Sequence, residues 1–440
     1  MEILLQGYAV NPATWFYLST LLILAVFFRF NRLWSLRNVD LLLLLSFTPG
    51  LLLVDSGNDV ARPLGYVWLF SVSGMYVVRL LADQFPFRRP LLAPNLNAGG
   101  LAFLCVSAAA FLTAQAVKET LPVSTQATVV EAEAMVKRQS TPVPEHGAVD
   151  EPVVGPAATL IAAPVGIVFE DLAARVLSVL AHAAVVTGLL MAGKRLFGDA
   201  QLGLAMATLY LLLPCTAFRV GEFNQVLPSA LIVWAIVCYR NPIVSGILMG
   251  LACGTMFFPV FLLPLWIAFY GRKGFVRFSG ALAVVALVMV GCLALTSSDA
   301  SALIRKTLGT IDLASIAFRG DGIAEGFWKE TEYLSVYRIP VIAAYAVMLL
   351  GLTIWPMKRN LELLIAHSTL VIVGTQFWYP RQGGVFILWY LPLLLMVVFR
   401  PRLVHLLPPT VVPEAEESNV RPGTSPVIAT RAIDRSSVFR

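Results

Sequence analysis

The sequence predicts an all-α polytopic membrane protein with about 11–13 transmembrane helices. Three observations carry this. Of 440 residues, 58% are hydrophobic and 13% charged, with a mean hydropathy of +0.78; a soluble domain carries about 25% charged residues. The apolar residues gather in runs that approach the ~20 residues needed to cross a bilayer. Lys and Arg fall in short clusters between those runs, as orientation signals do. The net charge of +6 is therefore no sign of a nucleic-acid partner.

Taken in order, the candidate spans are 14–30, 39–54, 64–82, 98–117, 171–193, 202–217, 226–239, 243–257, 259–271, 277–296, 337–356, 361–377 and 384–399. The first lacks a small-residue cleavage site and reads as a retained helix. Arg29, Arg32 and Arg37 separate the first two runs, and Arg79, Arg88 and Arg89 follow the third. Lys194 and Arg195 follow the fifth, Arg240 ends the seventh, and Arg272, Lys273 and Arg277 follow the ninth. Lys358 and Arg359 precede the twelfth, and Arg400 and Arg402 follow the last. With all of these in the cytoplasm, the N-terminus lies outside the inner membrane and the C-terminus inside. Arg240 and Arg272 then share a side, so the run between them must enter and return. Its apex is "MFFP", where Pro259 interrupts the helix.

Five regions follow from this pattern. Residues 1–117 hold the N-terminal helices. Residues 118–170 form a polar, Pro/Val-rich extracytoplasmic loop with a mobile middle. Residues 171–400 form the main transmembrane core. Within it, 297–336 is an outer loop, where Leu303, Leu308 and Ile311 suggest a short surface helix. Residues 401–440 read as a disordered cytoplasmic tail. No internal repeat is visible, which argues against an inverted-repeat transporter. The five cysteines sit in or beside apolar runs, and the four histidines are scattered. Neither set has ligand spacing, so no metal or cofactor is expected.

Polar groups that interrupt this pattern mark candidate sites, because ionisable groups in a membrane are costly. Asp171, Arg175, Ser178 and His182 fall on one stripe at helical spacing, and Asp171 can pair with Arg175. The stripe reads either as the wall of an outward polar site or as glue between helices. Arg62, Arg219 and Arg381 lie in short outward connections, against the orientation bias; a lipid phosphate would account for them. Nine carboxylates face outward: Asp55, Asp59, Glu170, Asp171, Glu222, Asp321, Glu325, Glu330 and Glu332. Asp171 and Glu222 stand beside spans that carry other polar groups, whereas Asp55 in "DSGND" reads equally as a turn. Trp378, Tyr379, Trp389 and Tyr390 surround Arg381 and Gln382. They read as an interfacial aromatic belt or as a stacking wall for a sugar or prenyl chain.

The stretch from "KRLFGDAQLG" through "FRVGEFNQVLPSA" to "GILMGLACGTMFFPVFLLP" resembles the core of the multi-spanning GT-C glycosyltransferases. It is most similar to the bacterial polyprenyl-phosphate-mannose-dependent α-mannosyltransferases. "GEFNQ" stands at their G-Q-x-N-like turn, and Gly246, Gly250, Gly254 and Pro259 stand in their glycine-proline hairpin. "YPRQGGVFILWYLPLLL" resembles their last span. The chain departs from the pattern at Met256, Phe257 and Phe258, where members often carry a Lys, and at Glu222, where Gln is common. Members place their catalytic acid in the first outer loop, and the loop before the matched core lacks a D-x-x-Y-like motif.

The resemblance implies sugar transfer from a polyprenyl-phosphate donor to an acceptor at the outer membrane face. Asp171 or Glu222 would serve as general base, and Arg219 and Arg381 would hold the donor phosphate. Asn224, Gln225 and Gln382 would bond sugar hydroxyls, and Arg175 and His182 would line the cavity. The implied partners are membrane lipid and the polyprenyl-phosphate-linked sugar. A non-catalytic binding or transport protein for a lipid-linked substrate, or a membrane scaffold, accounts for the same residues.

Overall fold

A computed structural model describes residues 12–83, 92–118, 120–137, 154–296, 326–330, 337–355 and 359–409. The middle of the 118–170 segment, the Leu303–Ile311 stretch and the tail beyond 409 lie outside the described residues. Among those described, the regular structure is helical and no strand forms. Six stretches are long and apolar enough to cross a membrane: Leu36–Asp55, Ala61–Ala82, Ala98–Lys118, Pro156–Phe197, Gly274–Leu295 and Leu361–Trp378. Shorter apolar helices of 10–17 residues account for other runs. This is an all-α, multi-pass membrane architecture.

The N-terminal runs give α1 (Pro12–Phe27), α2 (Leu36–Leu45), α3 (Phe47–Asp55), α4 (Ala61–Ala82) and α5 (Ala98–Lys118). The expected span 39–54 is split at Ser46 into α2 and α3. Segment 118–170, expected as a loop, carries α6 (Val123–Val136) and the apolar α7 (Pro156–Phe169). The α7 sequence is short and contains Pro164, which hid it from a search for ~20-residue spans.

The core continues with α8 (Ala173–Ala192), α9 (Ala200–Leu212), α10 (Pro214–Phe218), α11 (Phe223–Val237) and α12 (Pro242–Thr255). The expected span 202–217 breaks at Leu213, whose extended ψ of 128° sets up Pro214 to start α10. Asp199 caps α9 by accepting from the Gln201 and Leu202 amides, and Asn241 caps α12 in the same way. After Thr255 the chain is extended at Met256 (φ −146°, ψ 163°) and turns at Phe258–Leu262. The break at "MFFP" is therefore real. Then come α13 (Leu263–Thr296), bent at Gly271 (φ 60°), α14 (Arg338–Ile354), α15 (Leu361–Trp378) and α16 (Leu391–Phe399). The expected last span, 384–399, is α-helical only from Leu391.

Packing divides these helices by role. Most of the apolar stretch of α15 (83%) is buried inside the protein, against 11% for Gly274–Leu295. The first is a central helix and the second a peripheral, lipid-facing one. The α8–α9 hairpin closes through two glycines: a Cβ on Gly193 would lie 2.2 Å from the Gly203 Cα. Gly193→Ala is expected to cost about 1–3 kcal/mol by overpacking, read as a lowered thermal midpoint in detergent.

The end of the bundle that holds Arg79 carries a buried ionic clamp. Arg79 of α4 grips both carboxylate oxygens of Asp40 on α2, at 2.9 and 3.0 Å, and also pairs with Asp83. Arg400, just after α16, reaches Asp83 at 2.8 Å and donates to the Glu362 carbonyl at 2.8 Å. The Arg400 and Asp83 side chains are 1% and 2% exposed. The charges read as orientation signals at Arg79 and Arg400 thus also join α2 and α4 to α15 and α16. Eighteen residues of helix, about 27 Å, separate Arg79 from the start of α4.

Candidate functional site

At that far end, Asp55 closes α3, and the Arg219–Glu222 turn joins α10 to α11. The turn is short because Pro214 restarts the helix, and Arg219 then leaves helical geometry (φ −122°, ψ 29°). Glu222 is the N-cap of α11, and its carbonyl accepts from the Gln225 and Val226 amides. Its carboxylate therefore stands at the positive end of a helix. Arg219 lies between two carboxylates. Its Nη1 donates to Glu222 Oε1 at 3.3 Å, and its Nη2 is shared by the Asp55 oxygens at 3.2 and 3.5 Å. Glu222 is buried with an 8% exposed side chain, whereas Asp55 is 49% exposed.

These three groups line a cavity of about 180 Å³ together with Thr120, Leu121, Pro122 and Phe218. Pro122 approaches so closely that a Cβ on Gly221 would sit 2.8 Å from its Cδ. The turn needs glycine for that close approach.

Three side chains hold the turn by its backbone. Ser178 and Thr125 both donate to the Gly221 carbonyl at 3.0 Å. His182 Nε2 lies 3.2 Å from the Val220 carbonyl, and Nδ1 lies 2.8 Å from the Tyr210 hydroxyl. A carbonyl only accepts, so Nε2 carries the proton and Nδ1 accepts from Tyr210. His182 is buried, and both ring nitrogens are committed to the protein. The expected cavity wall at Ser178 and His182 is a support behind the turn. His182→Ala is expected to cost about 1–3 kcal/mol, because it strands the Val220 carbonyl and the Tyr210 hydroxyl; thermal denaturation in detergent checks it.

The remaining expected residues divide as follows. Asp171 is exposed and does not line the cavity. The chain kinks at Glu170 (φ 44°), and α8 starts only at Ala173, so Asp171 leaves the helical stripe. Among the described residues no ion pair joins Asp171 to Arg175, which is half-buried one turn before Ser178. Asn224 is buried, and its amide donates to Thr128 Oγ1 at 3.0 Å, fastening α6 to α11. Gln225 is buried in the first turn of α11. Arg381 and Gln382 lie half-buried in a separate turn, where Gln382 adopts φ 43° and Gly384 packs on Leu69 and Phe70 of α4. The structure thus brings Arg219 and Glu222 together with Asp55, and leaves Asp171, Arg381 and Gln382 off this cavity.

The aromatic residues are neither a belt nor an open wall. Tyr379, Trp389 and Tyr390 are fully buried. The hairpin apex docks into them: Phe257 stacks on Tyr379 at 4.8 Å and Phe258 on Trp389 at 4.6 Å. The rings pack against one another.

Residues 155–378, from the N-cap of α7 to the end of α15, match the model of glycosyltransferase family 87. The chain belongs to glycosyltransferase family 87. This is a GT-C-type membrane family, so the family-87 protein is a multi-pass membrane glycosyltransferase. Neither a curated protein nor a solved structure matches the chain. The match begins at 155, so the short helix α7, expected as loop, belongs to the family core. Asp55 and the lining residues Ala116, Thr120, Leu121 and Pro122 come from outside the matched segment. The sequence offered one signal for Asp55, its place at the end of a span, and none for Thr125 or Thr128.

Proposed function

We propose that the family-87 protein transfers a sugar from a polyprenyl-phosphate donor to a hydroxyl acceptor at the outer face of the inner membrane. The observation that carries this is the cavity in which Arg219 holds Glu222 and Asp55. The Lys/Arg clusters support the sidedness: Arg79, Arg240, Arg359 and Arg400 lie at or near helix ends remote from this cavity. In the transfer, the bond from the sugar anomeric carbon to the donor phosphate oxygen breaks, and a bond to the acceptor oxygen forms. The acceptor proton passes to Glu222, and polyprenyl phosphate leaves.

Glu222 suits the role of base better than Asp171 or Asp55. It is the buried carboxylate of the cavity, and a transfer centre must keep water from competing with the acceptor. Arg219 pairs with two carboxylates, which makes it the group that orients Glu222; Arg381, in the turn before α16, is the candidate for the donor phosphate. Asn224 and His182 act as scaffold. Gln225 and Gln382 remain candidates for sugar hydroxyls.

The test uses purified full-length protein in proteoliposomes, polyprenyl phosphates carrying radiolabelled hexoses, and soluble glycosides as acceptors. Label appearing in the glycoside supports the reading. Donor binding without transfer across the whole donor and acceptor set favours a non-catalytic carrier of lipid-linked sugar instead.

A further inference from the structure

A second cavity lies at the clamp end of the bundle, where the first half of α13, the end of α14 and the start of α15 meet. Its wall is apolar at Leu265, Phe269 and Leu352, and polar at Arg359, Asn360 and His367. Asn360 and His367 share one face because they stand seven positions, about two helical turns, apart. Asn360 caps α15 by accepting from the Leu363 amide at 2.9 Å, so the positive end of a helix borders the cavity. Arg359 donates to the Ala268 carbonyl and, at 3.4 Å, to the Thr353 carbonyl. These bonds hold its guanidinium between α13 and α14 and use two of its five N–H groups. His367 is 4% exposed, and its Nε2 is buried with no hydrogen-bond partner in the protein. A buried ring nitrogen is normally satisfied, and the cavity is the place from which a partner can reach it.

The cavity, about 20 Å³, has room for about one oxygen atom. It takes the tip of a ligand, not a whole sugar. Next to its wall, Ile354 and Trp355 at the end of α14 are exposed, as suits a lipid-facing helix with a Trp at headgroup level. We infer that this cavity holds the headgroup of an anionic phospholipid from the adjoining leaflet, with its phosphodiester on Arg359 and a headgroup oxygen on His367 Nε2. Guanidinium matches phosphate oxygens, and no carboxylate stands among the described residues that line the cavity. The apolar wall suits the glycerol backbone of a lipid better than a free phosphate. A headgroup held there ties α13 and α14 to the central helix α15. The site is separate from the Arg219 cavity and does not depend on the sugar-transfer reading.

The test titrates delipidated full-length protein in detergent with short-chain phosphatidylglycerol or phosphatidylcholine, read by native mass spectrometry. Phosphatidylglycerol should bind at least about fivefold more tightly, the contribution of one Arg near an anionic headgroup. Excess inorganic phosphate should leave it bound. Arg359→Gln should bring the two lipids within about twofold. His367→Phe keeps a ring of similar size without its nitrogens; it should weaken phosphatidylglycerol binding and leave phosphatidylcholine unchanged. Equal binding of the two lipids by wild type overturns the inference. So does displacement by inorganic phosphate, which would make this a site for a soluble anion, or unchanged phosphatidylglycerol binding in either folded variant. If the variants fail to fold, a photoreactive phosphatidylglycerol decides on the wild-type chain. Crosslinks within 265–269 or 352–367 sustain the site, and crosslinks confined to other segments sink it.

Discussion

Glu222→Gln is expected to slow sugar transfer by about 10²–10⁴-fold, the usual contribution of a positioned general base. Glutamine has the same shape, and its amide oxygen can still accept from Arg219 Nη1, which reaches Glu222 at 3.3 Å in the native protein. The turn should therefore keep its place, since it is held through the Val220 and Gly221 carbonyls by His182, Ser178 and Thr125. The loss should fall on kcat, with KM little changed, because the missing function is proton acceptance and not binding. Asp171→Asn provides the contrast. It is exposed, lies off the cavity, and should leave transfer near the wild-type rate. A Glu222→Gln protein that transfers within threefold of wild type would remove Glu222 as the base.

Arg400→Leu should have the largest effect on stability. The Arg400 guanidinium meets Asp83 at 2.8 Å and the Glu362 carbonyl at 2.8 Å, with its side chain 1% exposed. Its removal leaves buried Asp83 still paired with Arg79 and takes a donor from the Glu362 carbonyl, which places the cost near the lower end of the about 3–5 kcal/mol typical of a broken buried pair. The bundle should lose thermal stability in detergent by a correspondingly large step. Adding Asp83→Asn should recover part of the loss, since the neutral amide no longer needs a cation; the cycle measures the coupling directly. A single Arg400→Leu variant as stable as wild type would show that the clamp contributes little.

Much of the helix pattern was legible because long apolar runs have few alternatives in a chain this hydrophobic. The run expected at 64–82 is α4, Ala61–Ala82. Failures came where geometry departs from a continuous helix. The helical stripe expected from Asp171 onward loses its first member, because Glu170–Leu172 form a 3-10 turn entered at φ 44° and α8 starts at Ala173. The α7 helix was too short and too interrupted by Pro164 to register as a span. The candidate site was half legible. Arg219 and Glu222 stood out as polar residues between two apolar runs, three positions apart. Asp55 could not be chosen over eight other carboxylates, because its partner lies 164 positions away. Arg79 and Arg400 showed their outward signature as cations beside spans; Asp83 stands four positions after Arg79, but nothing local announced that Arg400 shares it.

The clamp has a further consequence for how the protein is made. Asp83 and Arg400 are 317 positions apart, so the tie between α4 and the α15–α16 end of the bundle forms only after Arg400 has left the ribosome. Until then Asp83 is paired with Arg79 but not with Arg400. Nascent chains stalled before residue 400 should hold α4 and α15 more loosely and stay open to membrane quality control, and the emergence of Arg400 locks this frame in one late event.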